Sequence, residues 1–425
     1  MTESAGQPAR AAALALLSGV LRRKKPLDAL LDSLKALPPR DAGFARALAS
    51  TALRHFGELD TVVRRFVPKP LAPHKAGPAM EILLLGAAEL LILKVAPHAA
   101  VDGANRLAAA DNKAVHFKPL INAVLRRMAS EGEAVRTKLD GPRLNTPDWL
   151  WERWIAQYGK DQAHAIALAH QSEAKLDITL KSSTARAPDG QEILPLSRRL
   201  DDAGKVEEFP GFAEGDWWVQ DLGATLPVLM LGDVAGKKVI DLCAAPGGKT
   251  MQLAARGAEV IAVELDAARL ERVKENLART DLNATLVQSD ARDFTERAPL
   301  VLIDAPCIAT GTIRRHPDLP WIKQPGDVMA RSSLAYEILE AGAALVEDGG
   351  LLVFAVCSLE REEGEEQISA FLETHPEFAR APLSAEEVSG HAEWISPDGD
   401  LRTLPCYLAA EGGMDGFYAA RLRRL

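Results

Sequence analysis

The stretch Val239-Ile240-Asp241-Leu242-Cys243-Ala244-Ala245-Pro246-Gly247-Gly248-Lys249-Thr250 decides how the second half of the chain folds. A short apolar run ends beside a carboxylate, a glycine-rich turn follows, and a helical pattern begins behind it. The order is strand, turn, helix. Outward from it the same unit repeats. Glu259–Val263 closes on Glu264, with a helix expected over Ala267–Arg279. Ala284–Val287 leads to Asp290, and Leu300–Ile303 leads to Asp304. A helix over Val328–Val346 precedes the strand Leu351–Val356, which ends at Cys357. Apolar strands separated by helices of about 10–15 residues specify an α/β domain, doubly wound around a mostly parallel sheet. Ligands of such sheets bind beyond the carboxyl ends of the strands. Every polar or sulfur residue just named lies at such an end.

Gly248-Lys249-Thr250 matches the closing triplet of a phosphate loop, but that loop needs another glycine five positions before Gly248. Cys243 stands there, and its side chain would crowd the amides that wrap a phosphate. A nucleotide triphosphatase is set aside. The GxGxxG fingerprint for a pyrophosphate is missing as well. Glu264 remains, at the end of the second strand, where an acid accepts both hydroxyls of a ribose. A ribose acid without a pyrophosphate loop favours S-adenosylmethionine (SAM) over a dinucleotide. Asp290, at the end of the third strand, is placed to reach an adenine amino group. Any one of these acids could be a helix cap; three at successive strand ends point to a site.

The front of the chain has another grammar. From Pro8 to about Met128, apolar residues recur at three- and four-residue spacing in Ala11–Leu21, Leu27–Leu37, Ala42–Phe56, Ala79–Val95 and Leu120–Met128. Prolines punctuate the segments, so an all-α domain is expected over 1–140. Residues 141–222 read as a small α+β connector. Its helix carries Trp149, Trp151 and Trp154 and runs to about Gln171; strand-like pieces follow at Asp177–Leu180, Val206–Phe209 and Trp217–Val219. The tryptophans suit packing better than base stacking. The α/β domain then occupies 223–425.

The whole chain of 425 residues carries a formal charge of −9, but unevenly: +8 over residues 1–140 and −17 over the rest. A basic front suits a polyanion, through Arg22-Arg23-Lys24-Lys25, Arg64-Arg65 or Arg126-Arg127, although a charge run also serves as a solvated face. Four cysteines (Cys243, Cys307, Cys357, Cys406) are too few for a disulfide framework, and none sits at zinc-ligand spacing, so no metal is expected. The longest apolar run, Ile82–Leu93, is too short for a membrane span and contains Glu89. The N-terminal MTESAGQPAR lacks the order of a secretion signal. A cytoplasmic protein is the expectation.

Asp241–Thr250 resembles the cofactor loop of the NOL1/NOP2/Sun family of RNA cytosine-C5 methyltransferases, and the later segments agree. Asp304-Ala305-Pro306-Cys307 and the following Thr310–Asp318 resemble the family's fourth motif; Val356-Cys357-Ser358 with Glu360 and Glu363 resembles its sixth. Gly413–Tyr418 resembles the closing strand motif, and Gln220-Asp221 the entry motif. The resemblance spans about 220–425. The helical front is similar to the NusB-like RNA-binding domain found ahead of this module in bacterial members acting on 16S ribosomal RNA. Departures are Val356 for the usual Thr, Ile308 for a small residue, Glu264 for Asp, and Ile178-Thr179-Leu180-Lys181 for an Arg-Val-Asn segment in the connector.

The resemblance implies a Rossmann-like, class I SAM-dependent fold and a division of labour. Carbon 5 of cytosine is a poor nucleophile until a thiolate adds to carbon 6, which splits one hard step into two easier ones. Cys357 is then the nucleophile, Asp304 contacts nitrogen 3, and Cys307 assists proton removal and release. The cofactor would be held by Cys243, Ala244, Ala245, Pro246, Gly247, Gly248, Lys249, Glu264, Asp290 and Asp304. Arg314 and Arg315, after the catalytic turn, and Arg22, Arg23, Lys24 and Lys25 are the expected RNA contacts. The implied partner is 16S ribosomal RNA or the pre-ribosomal small subunit, met by a monomer. Two alternatives stay open: the same chemistry on transfer RNA, and a non-catalytic RNA-binding assembly factor that keeps the fold.

Overall fold

The structure is a computed structural model that describes residues 6–201 and 204–425. The chain divides into two compact units: Met1–Ser172 with Ile313–Lys323, and Glu173–Thr312 with Gln324–Leu425.

The first unit is helical. Its main helices are Gln7–Arg23, Pro39–Arg54, Phe56–Phe66, Ala79–Ala87, Pro97–Ala109 and Lys118–Arg136. Several begin with proline in the first turn, where the missing N–H would have no partner anyway. Leu16, Leu17, Val20, Leu48, Leu53, Val62, Ile82 and Leu125 are buried in one core, the i, i+3, i+4 face expected from their spacing. Glu89, which interrupts the apolar run, is itself buried. It accepts hydrogen bonds from Arg10 Nε (2.9 Å) and Nη2 (2.5 Å), so the charge is paired rather than exposed.

The helical unit runs past 140, and the second compact unit begins before 222, at Glu173. The tryptophan helix is two helices, Asp148–Tyr158 and Lys160–Ala169, broken at Gly159 with φ 80°. Both belong to the helical unit, where Trp154 is buried with its ring 5.3 Å from that of His170. Ile313–Lys323 belongs there too, although it lies far along the chain. Asp318 Oδ2 accepts the Leu27 N–H at 2.9 Å, Trp321 Nε1 donates to the Leu53 carbonyl at 2.8 Å, and the Trp321 ring meets Phe56 edge-on at 4.7 Å. Hydrophobic burial and hydrogen bonding, not chain order, draw the boundary.

In the second unit β1 (Leu176–Leu180), β2 (Gln191–Leu194), β3 (Ser197–Leu200) and β4 (Trp217–Val219) form an antiparallel sheet in the order β2-β3-β1-β4. The strand expected at Val206–Phe209 is instead a short 3-10 turn over Val206–Glu208. It sets Val206 and Phe209 against Ile178, Leu180, Leu200 and Trp217. The departure from the family pattern at 178–181 is thus largely core: Ile178 and Leu180 are buried, and Lys181 Nζ donates to the Thr280 carbonyl at 2.6 Å.

The main sheet contains β5 (Lys238–Leu242), β6 (Glu259–Glu264), β7 (Thr285–Gln288), β8 (Ala298–Asp304), β9 (Val346–Val356), β10 (Phe378–Arg380), β11 (Leu401–Arg402) and β12 (Tyr418–Arg424). Its order is β10-β12-β9-β8-β5-β6-β7, with β11 on β12. β5 to β9 are parallel; β12 pairs antiparallel with β9 and carries β10 and β11. The chain winds outward from β5 to β7, then returns to β8 on the other side. The switch between β5 and β8 opens a crevice at their carboxyl ends.

Candidate active site

The loop after β5 follows an unusual backbone path. Cys243 has φ 62° and Gly247 φ 101°; the Ala245–Pro246 peptide is cis. A Cβ on Gly247 would come within 3.2 Å of the Val273 side chain, so glycine satisfies both the angle and the close approach. Beneath the loop Asp241 is fully buried, and burial pushes its pKa up to about 7. Thr250 Oγ1 donates to its Oδ2 at 2.6 Å, while Oδ1 has no hydrogen-bond partner among the described residues.

Beyond the strand ends lies a cleft of about 510 Å³, and Cys243, Glu264, Asp290, Asp304, Cys307 and Cys357 all face it. Glu264 is buried at its floor, with Oε2 accepting the Ala245 N–H at 3.3 Å and Oε1 the Asp266 N–H at 3.1 Å. Arg269 ties the acid to the loop, reaching Glu264 Oε1 at 3.4 Å and the Ala245 carbonyl at 3.0 Å. Sequence reasoning missed this arginine, five residues past Glu264 on a helix that otherwise reads as solvated. Asp290 is already engaged: Arg292 donates to it from Nε (3.0 Å), Nη2 (2.6 Å) and its backbone (2.9 Å), which holds its pKa below the usual value. Leu265, exposed by 62%, and Leu334 and Ile338 from the helix Pro325–Ala344 add apolar lining. Their helical spacing reads as ordinary core, so no local signal marks them. A buried acid beside backbone amides, next to apolar side chains, fits a nucleoside cofactor. Cys243 plays no acid–base part: burial, then the charges of Asp304, Glu264 and Asp241, push its thiol to about 12.

Deeper in the cleft Lys249 Nζ donates to Asp304 Oδ2 at 2.7 Å and sits 5.4 Å from the centre of the Phe417 ring. Burial works against the ammonium, but Asp304 outweighs it and keeps the lysine pKa above its ordinary value. The Lys249 ammonium is thus paired with the Asp304 carboxylate. Cys307 Sγ and Cys357 Sγ are 3.5 Å apart. β8 and β9 are adjacent and in register, Asp304 opposite Ala355, so the two turns that follow bring the thiols together. The contact with Cys357, burial, and the charge of Glu363 raise the Cys307 pKa well above that of a free thiol. Ile308 and Val356, the departures beside the cysteines, are buried and leave the sulfurs in the cleft. Among the described residues no group of three or more His, Cys, Asp or Glu is arranged to hold a metal ion, and no helix is long and apolar enough to cross a membrane.

The expected RNA contacts fare differently. Arg314 is 1% exposed, and its carbonyl accepts from Arg54 Nη2 at 2.9 Å. Its side chain has no surface for an RNA backbone, which corrects that expectation; Arg315 is half-buried. Arg22 is committed to Glu81 and to the Gly77 carbonyl, the latter at 2.6 Å. Lys24 Nζ donates to the Trp321 carbonyl at 2.8 Å. Arg23 and Lys25 are exposed.

Residues 228–423 match the family described as 16S rRNA methyltransferase RsmB/F, and residues 7–130 match the NusB family. The ribosomal RNA small subunit methyltransferase B of Pseudomonas putida is 36% identical, over 98% of this chain and 98% of its own. That of Pasteurella multocida is 33% identical, over 98% of this chain and 96% of its own. Among solved structures, PH0851 superposes with a TM-score of 0.76 at 23% identity over the full length of both chains. NSun6 from Pyrococcus horikoshii, solved with SFG, gives 0.56 at 19% identity over 65% of this chain and 98% of its own. These two likenesses show the fold. Identity above 30% along nearly the whole chain shows more, and the protein belongs to the RsmB/F family of methyltransferases.

Proposed function

We propose that this methyltransferase forms 5-methylcytosine in small-subunit ribosomal RNA, as a cytoplasmic monomer, with Cys357 as the covalent nucleophile. The observation that carries the reading is the pair of thiols 3.5 Å apart in one cleft with Asp304, which the Lys249 ammonium supports at 2.7 Å. SAM, held by the Cys243–Lys249 loop, Glu264 and Asp290, supplies an electrophilic methyl group when bound. The chain's own residues do the rest. As the Cys357 thiolate adds to carbon 6, Asp304 passes a proton to nitrogen 3 of the base, drawn from the Lys249 ammonium bonded to it, and so neutralises the charge that develops on the ring. Cys307 stays a thiol through that addition, because its pKa is raised. At elimination it passes its proton across the sulfur contact to the departing Cys357 and takes the carbon-5 proton in exchange. A base stacked in a duplex cannot enter such a cleft, so the target cytosine is unpaired or flipped out. The substrate assignment leans on the relatives' names and on the NusB match.

The test is transfer of labelled methyl from SAM to unmodified 16S ribosomal RNA, transfer RNA and DNA, with the product base identified. Label in 5-methylcytosine of the ribosomal RNA is the expected result. Label only in transfer RNA would keep the chemistry and overturn the substrate. SAM binding with no transfer to RNA or to pre-ribosomal particles would overturn the enzyme reading in favour of an assembly factor.

A further inference from the structure

Glu363 belongs to the motif around Cys357, yet the chemistry above gives it no task. It ends the short 3-10 turn Arg361–Glu363, is completely buried, and its Oε1 accepts the Ile308 N–H at 2.9 Å. Ile308 directly follows Cys307. A carboxylate from the turn after β9 therefore grips the peptide immediately behind the cysteine of the turn after β8. Other bonds stitch the same two turns together: Gly311 N–H donates to the Cys357 carbonyl at 3.1 Å, and the Leu359 N–H donates to Thr310 Oγ1 at 2.9 Å. Thr310 and Ser358 hydroxyls lie 3.3 Å apart. These bonds hold the far end of the first turn, whereas Glu363 holds the end that carries the sulfur. What positions the sulfur end is the reach of the Glu363 oxygen to the Ile308 N–H, which a neutral amide oxygen on a side chain of the same length also spans.

We propose that Glu363 is a positioning residue for Cys307: by gripping the Ile308 N–H it sets the Cys307 sulfur beside that of Cys357. The inference rests on the assignment of both cysteines to cytosine chemistry, but its test does not depend on RNA. Two sulfurs so placed are joined readily by diamide, which oxidises the two thiols to a disulfide and is itself reduced to the hydrazine; the geometry of that bond is strict. Two conservative variants of the full chain separate reach from charge. Glu363→Asp keeps the charge and withdraws the oxygen by one methylene. Glu363→Gln keeps the reach and removes the charge.

Crosslinking of Cys307 to Cys357, read by peptide mass spectrometry, is expected to slow on the order of tenfold or more in Glu363→Asp and to stay within about threefold of wild type in Glu363→Gln, since disulfide closure tolerates little displacement. SAM affinity is expected to be unchanged in both, which a general loss of fold would not allow. On ribosomal RNA, Glu363→Asp should lower kcat by about 10–100-fold with KM little altered, as sub-ångström misplacement of a reacting group does, and Glu363→Gln should restore most of it. The proposal is overturned if wild type forms no such crosslink, if Glu363→Asp crosslinks as fast as wild type, or if both variants slow alike. Should Glu363→Asp fail to fold, Glu363→Gln decides alone, and a rate well below a third of wild type overturns the assignment. If wild type crosslinks but methylates no cytosine, the functional reading fails while the position of Cys307 stands.

Discussion

At the scale of single residues, the proposed chemistry asks unlike work of two like side chains. Cys307 and Cys357 share a 3.5 Å contact, and that contact, burial and the charge of Glu363 raise the Cys307 pKa. Cys357→Ala should abolish methyl transfer by at least about a thousandfold, the scale of losing a covalent nucleophile. SAM affinity, measured by calorimetry, should be nearly unchanged. Cys307→Ala should instead accumulate an RNA adduct that survives denaturant, because addition proceeds and elimination stalls. Finding the adduct in Cys357→Ala would exchange the two roles. Lys249 belongs to the same logic: its triplet looks like a phosphate grip, yet its buried ammonium faces a carboxylate.

At the scale of elements, one buried ion pair joins the small sheet to the start of the methyltransferase fold. Arg199 on β3 donates from Nε and Nη2 to the two oxygens of Asp177 on β1, both at 2.7 Å, and Asp177 Oδ2 also accepts the Leu222 N–H at 3.2 Å. Both side chains are almost completely buried. Removing one partner leaves an uncompensated charge, so Arg199→Ala should cost about 3–5 kcal/mol in denaturant unfolding. A loss below about 1 kcal/mol would show that the pair is dispensable. Alternation and propensity made β1 and β4 readable, whereas β2 and β3 escaped notice. β2 is a four-residue edge strand whose first half, Gln191 and Glu192, is polar and exposed, and β3 contains two arginines, one of them this ion-pair partner.

At the scale of the whole molecule, the two units should answer pH in opposite directions. In the helical unit His170 is fully buried, and burial, then the charges of Arg314 and Arg54, lower its pKa to about 3. The unfolded chain takes that proton first. The contribution is therefore complete above pH 6.5 and is lost as pH falls toward 3, by up to about 1.4 kcal/mol per pH unit. In the other unit Asp241 is raised to about 7 by burial. Its contribution is complete below the ordinary Asp value and is lost as pH rises through 7. Hydrogen exchange resolved by peptide, between pH 5 and 8, should show protection falling with acid in the first unit and with base in the second. His170→Gln and Asp241→Asn should each flatten one of the two profiles. The helical front is also where RNA affinity is expected. Neutralising Arg23 and Lys25 together should weaken RNA binding without changing kcat, and should reduce the salt slope by about 0.7 per lost contact to single-stranded RNA.

The sequence by itself determined the doubly wound sheet, the strand ends that carry Asp241, Glu264, Asp304 and Cys357, and the helical character of the front. Those features are local: apolar periodicity and turn chemistry are written within a dozen residues of one another. Only the tertiary structure decided what depends on partners distant in sequence. It placed Ile313–Lys323 in the helical unit, buried Arg314, committed Arg22 to Glu81 and Lys24 to a carbonyl, and set Glu363 behind Cys307. A basic residue reads the same in sequence whether it faces water or a buried carboxylate. Which of the two it meets is settled by packing, because an unpaired charge cannot stay inside and a paired one is no longer offered to a ligand.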